Sequence, residues 1–108
     1  MRDRILKEDK SLDYLVAGLC LDFFRREAVI YEACATRRTL VEFRYLNFKI
    51  FEAAAEIVGE DMAKLYIKEI GSNVGYAKSE ADTVSETTYK RYKKLIKENI
   101  AKKLHLSD

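Results

Sequence analysis

His105 is the single histidine of the chain. It stands near the C-terminus beside no acid pair, so neither a ligand role nor a catalytic one is expected of it. No Cys–His pairing suits zinc. Glu52 and Glu56 share one helix face, a turn apart, as carboxylate-bridged metal sites in helical bundles require. Those sites also take Glu-x-x-His from facing helices. No histidine is placed to supply it, and the two glutamates read as solvent-facing charges. On one continuous helix Cys20 and Cys34 would lie roughly 21 Å apart at about 1.5 Å per residue, too far to bridge. They read as packing residues of a reducing compartment. There is no P-loop, no Gly-x-Gly-x-x-Gly and no nucleophile with a nearby base. The expectation is a protein that is not an enzyme, with no cofactor, no metal and no evident small-molecule substrate.

One stretch has a spacing that suits nucleic-acid chemistry: Val84-Ser85-Glu86-Thr87-Thr88-Tyr89-Lys90-Arg91-Tyr92. In a helix-turn-helix a buried aliphatic residue closes the turn and a hydroxyl residue caps the recognition helix. Apolar positions five and eight residues after the aliphatic then face the core. Val84, Ser85, Tyr89 and Tyr92 fit those places. Glu86, Thr87, Lys90, Arg91 and, a turn on, Lys94 would point outward. Short polar side chains at such a helix start can reach base edges, and cations can reach phosphates. The candidate DNA-binding residues are Ser85, Glu86, Thr87, Lys90, Arg91 and Lys94.

That ending resembles the sigma-region-four-like transcriptional regulators of phages and other mobile elements. These often close with a Ser-Glu-x-Thr-Tyr-x-Arg-like recognition helix that runs into a basic tail. The resemblance covers roughly residues 61–104. It implies a small regulator that binds duplex DNA through its last helix, with 61–70 and 72–81 as supporting helices. Thr83 stands where that turn usually has glycine, and Lys78 lies near a position usually apolar.

The elements that would carry this site all read as helices. The chain has no proline, a common turn residue, and is rich in helix formers. Ser11 is the expected cap of a first helix running to about Cys34, with Leu12, Leu15, Val16, Leu19, Cys20, Phe23 and Phe24 inward. Gly18 is expected to allow a close helix contact. Thr36 or Ala35 opens a second helix that ends before Gly59. This helix is apolar over most of its circumference, interrupted by Arg44 and Asn47, and reads as buried on several sides. Asp61–Ile70, Ser72–Ala81 and a final helix from Ser85 follow, the last with an inner stripe of Tyr89, Tyr92, Ile96 and Ile100. The predicted architecture is a single all-α domain over 1–108: a compact five-helix fold in which a long helical hairpin (11–58) precedes a helix-turn-helix-like region (61–104).

At 48% hydrophobic and 35% charged residues, the composition is that of a globular chain rather than a disordered one. Residues 85–108 hold seven basic and three acidic residues, a net +4, and the remainder has 13 basic and 15 acidic, a net −2. A basic arm on a near-neutral body is a possible footprint for nucleic acid. The charged start, Met1 to Lys10, is not a secretory signal, and the apolar run Leu12–Phe24 contains Asp13 and Asp22 and is too short to span a bilayer. A cytoplasmic protein without membrane association is expected. The first two helices offer more apolar surface than their short partners can cover, which predicts a homodimer. A helical protein–protein interaction module, accessory or inhibitor, without nucleic-acid binding is the alternative reading.

Overall fold

The structure is a computed structural model and describes residues 10–81 and 84–106, Lys10 by its backbone alone. The charged 1–9 stretch, the turn residue Thr83 and Asp108 lie outside them. Among the described residues there is no strand, and four helices make the fold. Helix α1 is bent, with arms α1a (Lys10–Leu21) and α1b (Phe23–Glu32). Helices α2 (Arg37–Val58), α3 (Glu60–Gly71) and α4 (Glu86–Lys103) follow, with one 3₁₀ turn (Tyr76–Lys78) before α4.

The bend in α1 sits at Asp22, with φ −88° and ψ 0°. Backbone bonds from Asp22 N–H to the Gly18 carbonyl and from Arg26 N–H to the Asp22 carbonyl carry the helix through it. The Arg26 guanidinium reaches back and donates to the Leu19 carbonyl at 2.6 Å. A side-chain donor on the helix ladder is one of the recognised causes of a kink. The first helix expected to run to about Cys34 is therefore bent and ends at Glu32, and Ser11 lies inside α1a rather than capping it.

The bend is also where α3 comes closest. A Cβ built on Gly71 would lie 2.5 Å from the Leu21 nitrogen and 2.9 Å from the Cys20 carbonyl carbon, while one on Gly18 would meet nothing within 4 Å. The close helix contact expected at Gly18 belongs to Gly71. Gly71→Ala is expected to lower stability by about 1–3 kcal/mol, because backbone atoms rather than a flexible side chain stand in the way. Gly18→Ala should gain up to about 1 kcal/mol of helix propensity. Urea titration of both variants checks the pair. A Gly71→Ala variant as stable as the parent would refute the contact.

Thr36 caps α2, its hydroxyl accepting from the Thr39 N–H. Helices α2 and α3 meet at Gly59 alone, whose φ of +88° and ψ of 161° suit glycine and little else. Helices α1b, α3 and α4 end on Ala33, Asn73 and His105, each left-handed with φ of 52–59°. The N–H of the following residue then reaches back five positions, to the Val29, Glu69 and Ala101 carbonyls. This is the Schellman ending, in which glycine is usual because a Cβ is disfavoured there. Ala33→Gly is thus expected to stabilise the fold by about 0.5–1 kcal/mol. A melting temperature raised by a few degrees would bear that out, and one lowered would contradict it.

The core draws on all four helices: Val16, Cys20, Phe23, Ile50, Tyr66, Ile67, Tyr89, Ile96 and Ile100 are fully buried. Ala53 and Ala54 let α3 and α4 approach α2. Every buried residue of α2 lies from Asn47 onward. Its first half and the later part of α1b, from Glu27 on, form an antiparallel arm with no buried residue. Helix α2 is therefore buried on several sides only in its second half: Val41, Tyr45 and Phe48 are each more than half exposed. Leu15 and Phe24, expected inward, are also exposed.

The expected helix over Ser72–Ala81 is replaced by the 3₁₀ turn within irregular chain. Its backbone is claimed from outside. The Glu80 N–H and Ser79 hydroxyl donate to Glu69, and the Tyr76 hydroxyl donates to the Val84 carbonyl. Residues 72–85 thus separate α3 from α4, where a helix-turn-helix has a turn of about three or four residues. Among the described residues the fold has four helices rather than five.

Candidate functional site

Two exposed helix faces carry the candidate chemistry. On α4, the Ser85 hydroxyl accepts from the Thr88 N–H and caps the helix as its sequence implies. Thr87, Lys90, Arg91 and Lys94 are exposed along the outer side, and Glu86 pairs with Lys90 at 3.0 Å. The helix does gather the six sequence-predicted residues over its N-cap and first three turns, though Ser85 is engaged as a cap and Glu86 offsets Lys90.

Three of the basic arm's seven cations are held by the body. Lys97 pairs with Asp13 at 2.9 Å, and Lys103 with Glu56 at 2.8 Å and Glu52 at 3.5 Å. The Lys93 ammonium donates to the Val74 carbonyl at 2.6 Å. Asn99 donates to the Ala53 carbonyl and to Glu56. Glu52 and Glu56, read from sequence as solvent-facing charges, instead fasten α4 to α2. The hydrogen bond from Lys103 holds the Glu56 carboxyl below its ordinary pKa. Of the arm's cations, Arg91, Lys94 and Lys102 face outward without an ion pair among the described residues.

A buried polar knot near the foot of this region was not foreseen. Glu69 is 3% exposed and accepts from the Tyr89 hydroxyl at 2.7 Å, the Ser79 hydroxyl at 2.7 Å and the Glu80 N–H at 2.8 Å. Burial pushes this carboxyl up in pKa, but the three donors and the nearby Lys93 charge more than offset it, leaving the value lowered. Tyr89 is pushed up to about 12 by burial and by its bond to Glu69.

The second face is the α1b–α2 arm. Val41, Tyr45 and Phe48 recur at i, i+4 and i+7 on α2 and are 55%, 53% and 60% exposed. Tyr31 on α1b is 90% exposed. Beside them an open groove of about 350 Å³ is lined by Phe23, Glu27, Ile30, Arg44, Asn47, Phe48, Phe51 and Lys64. Asn47 is itself buried and joins the arm to the bend. It accepts from Arg26 Nε at 2.6 Å and donates to the Phe23 carbonyl at 3.0 Å and to Glu27 at 2.9 Å. Burial lowers the pKa of Arg26, and no carboxylate comes within ion-pairing distance among the described residues. The amide of Asn47 relays between that cation and Glu27. In the sequence only the break in the apolar arc at Arg44 and Asn47 hinted at this.

Cys20 is buried, and burial pushes its thiol up to about 12; Cys34 is exposed and does not pack, contrary to expectation. Among the described residues no group of three or more His, Cys, Asp or Glu is placed to hold a metal ion, and no helix is long and apolar enough to cross a membrane. Comparison with protein-family models, with curated proteins and with solved structures finds no match.

Proposed function

We propose that this chain is a helical protein-interaction module that works through its α1b–α2 arm. The observation that carries the reading is the unbroken stripe of Val41, Tyr45 and Phe48, each more than half exposed. Exposed apolar patches of this kind mark interfaces. Aromatic and arginine side chains are enriched where proteins meet, and Arg37 and Arg44 flank the stripe. The test is a photo-crosslinking amino acid placed at Tyr45 or at Arg91 in living cells. Protein adducts from position 45 support the module. Adducts with nucleic acid from position 91, with none from 45, would overturn it.

A second reading is a DNA-binding regulator of a phage or mobile element, homodimeric and acting through α4. It is favoured by the exposed ladder of Thr87, Lys90, Arg91 and Lys94 beside a capped helix N-terminus, whose free N–H groups suit a phosphate. On this reading affinity for duplex DNA falls steeply with salt. Lys94→Ala would weaken binding to every sequence alike and lower the salt slope by roughly one. Thr87 or Arg91 replacements would alter sequence preference. No binding at about 50 mM salt and micromolar protein, where phosphate contacts are strongest, would remove it.

A further inference from the structure

The groove beside the stripe is apolar and carries free positive charge. Phe23, Ile30, Phe48 and Phe51 supply its apolar lining. Its one acidic lining residue, Glu27, is already engaged: it accepts from Asn47 at 2.9 Å and pairs with Lys64 at 4.0 Å. Arg44 is exposed and has no ion-pair partner among the described residues. At 100° per residue, Arg37 falls within the arc of about 60° that Arg44, Phe48 and Phe51 span. Arg37 is likewise exposed and without an ion pair among the described residues. The two arginines are seven positions apart, about 10 Å along the helix. We infer that the groove takes an amphipathic helix of another protein, its apolar ladder against Ile30, Phe48 and Phe51 and two carboxylates seven residues apart against Arg37 and Arg44. This rests on the interaction-module reading and adds the chemistry of the partner.

Charge, shape and backbone select this occupant. From Phe23 to Lys49 the chain has six basic and three acidic residues, a net +3, so an acidic partner is drawn to the arm and a basic one repelled. A second copy would bring a surface of the same sign. Arginine favours carboxylates because its planar fork can bond both oxygens at once. The lining comes from α1b, α2 and α3, and an open groove between packed helices seats a further helix at the usual interaxial distance of about 8–10 Å. An extended segment would instead need a sheet edge to join, and there is no strand among the described residues. A small ligand is held where the site encloses most of its surface, which an open groove does not.

The experiment uses the full chain and a displayed library of helical peptides, with leucine fixed along one face and the flanking positions varied among Glu, Lys and Ser. Selection is expected to enrich peptides with Glu at two positions seven apart. By fluorescence anisotropy an enriched peptide should bind the chain, more weakly as salt rises, and about tenfold more weakly to Arg44→Glu. Lysine in place of its two acids should restore binding to the double variant Arg37→Glu with Arg44→Glu. Both arginines are exposed, so these variants should melt with the parent. Enriched peptides without acids, an affinity that Arg44→Glu leaves unchanged, or no enrichment at all overturns the inference. Self-association in sedimentation that Phe48→Ser abolishes would assign the groove to a second copy and overturn it as well. If position 45 then still gives adducts with another protein in cells, the module reading survives with a different partner. If it gives no adducts, both fall.

Discussion

Replacing Asn47 by alanine is expected to cost the fold about 3–5 kcal/mol, far more than an exposed polar residue would. The side chain is 3% exposed and is the acceptor for the Arg26 Nε–H. Removing it leaves a buried guanidinium with only the Leu19 carbonyl, and leaves the Phe23 carbonyl and Glu27 without their amide donor. Unpaired buried charge is the large term here, not the lost amide. The double variant Arg26→Met with Asn47→Leu should therefore lose much less than the two single changes added together, because it removes the charge along with its partner. Denaturant titration of the four proteins measures this. Additive losses would mean that Arg26 and Asn47 are not coupled.

Tyr89→Ala should cost a comparable about 3–5 kcal/mol, the usual loss for a buried aromatic ring. Its ring packs against Tyr66 and Tyr76 at centroid distances of 5.6 and 5.7 Å. Tyr89→Phe keeps the ring and removes one donor to Glu69, so its smaller loss reports the hydrogen bond. Glu69 makes stability depend on pH in one direction. Its folded pKa lies below the unfolded one. Its contribution is complete above the unfolded value of about 4.3 and is lost as pH falls through the folded value. Glu69→Gln should flatten that acid limb, as followed by thermal melts across the acid range. An acid limb as steep as the parent's would show that Glu69 does not supply it.

Much of the helical framework was legible because it rests on local chemistry. Thr36 and Ser85 cap their helices because a hydroxyl at that place satisfies an N–H the helix leaves open, whatever surrounds it. The inner stripe of α4 follows from spacing alone. The misreadings share another origin. At Gly18 and Gly71 the sequence is equally permissive, and only the approach of α3 to the α1 bend decides which glycine is required. Residues 72–81 have helical spacing, but Glu69 captures their backbone from another element. The basic arm is basic by count, yet Asp13, Glu52 and Glu56 come from distant helices to meet it. The apolar circumference of α2 suggested burial, but no residue of its first half is buried.

That last feature divides one continuous helix into two dynamic regimes. From Arg37 to Leu46 no residue of α2 is buried, whereas Ile50, Ala53 and Ala54 are sealed in the core. Hydrogen bonds that lack buried neighbours open at small free energy, and those within the core open only when the whole domain does. Amide hydrogen exchange should therefore change steeply along α2 near Asn47, fast before it and slow after it. Binding at the arm would then be coupled to ordering: a partner that covers Val41, Tyr45 and Phe48 should slow exchange in the first half of the helix and leave the second half as it was.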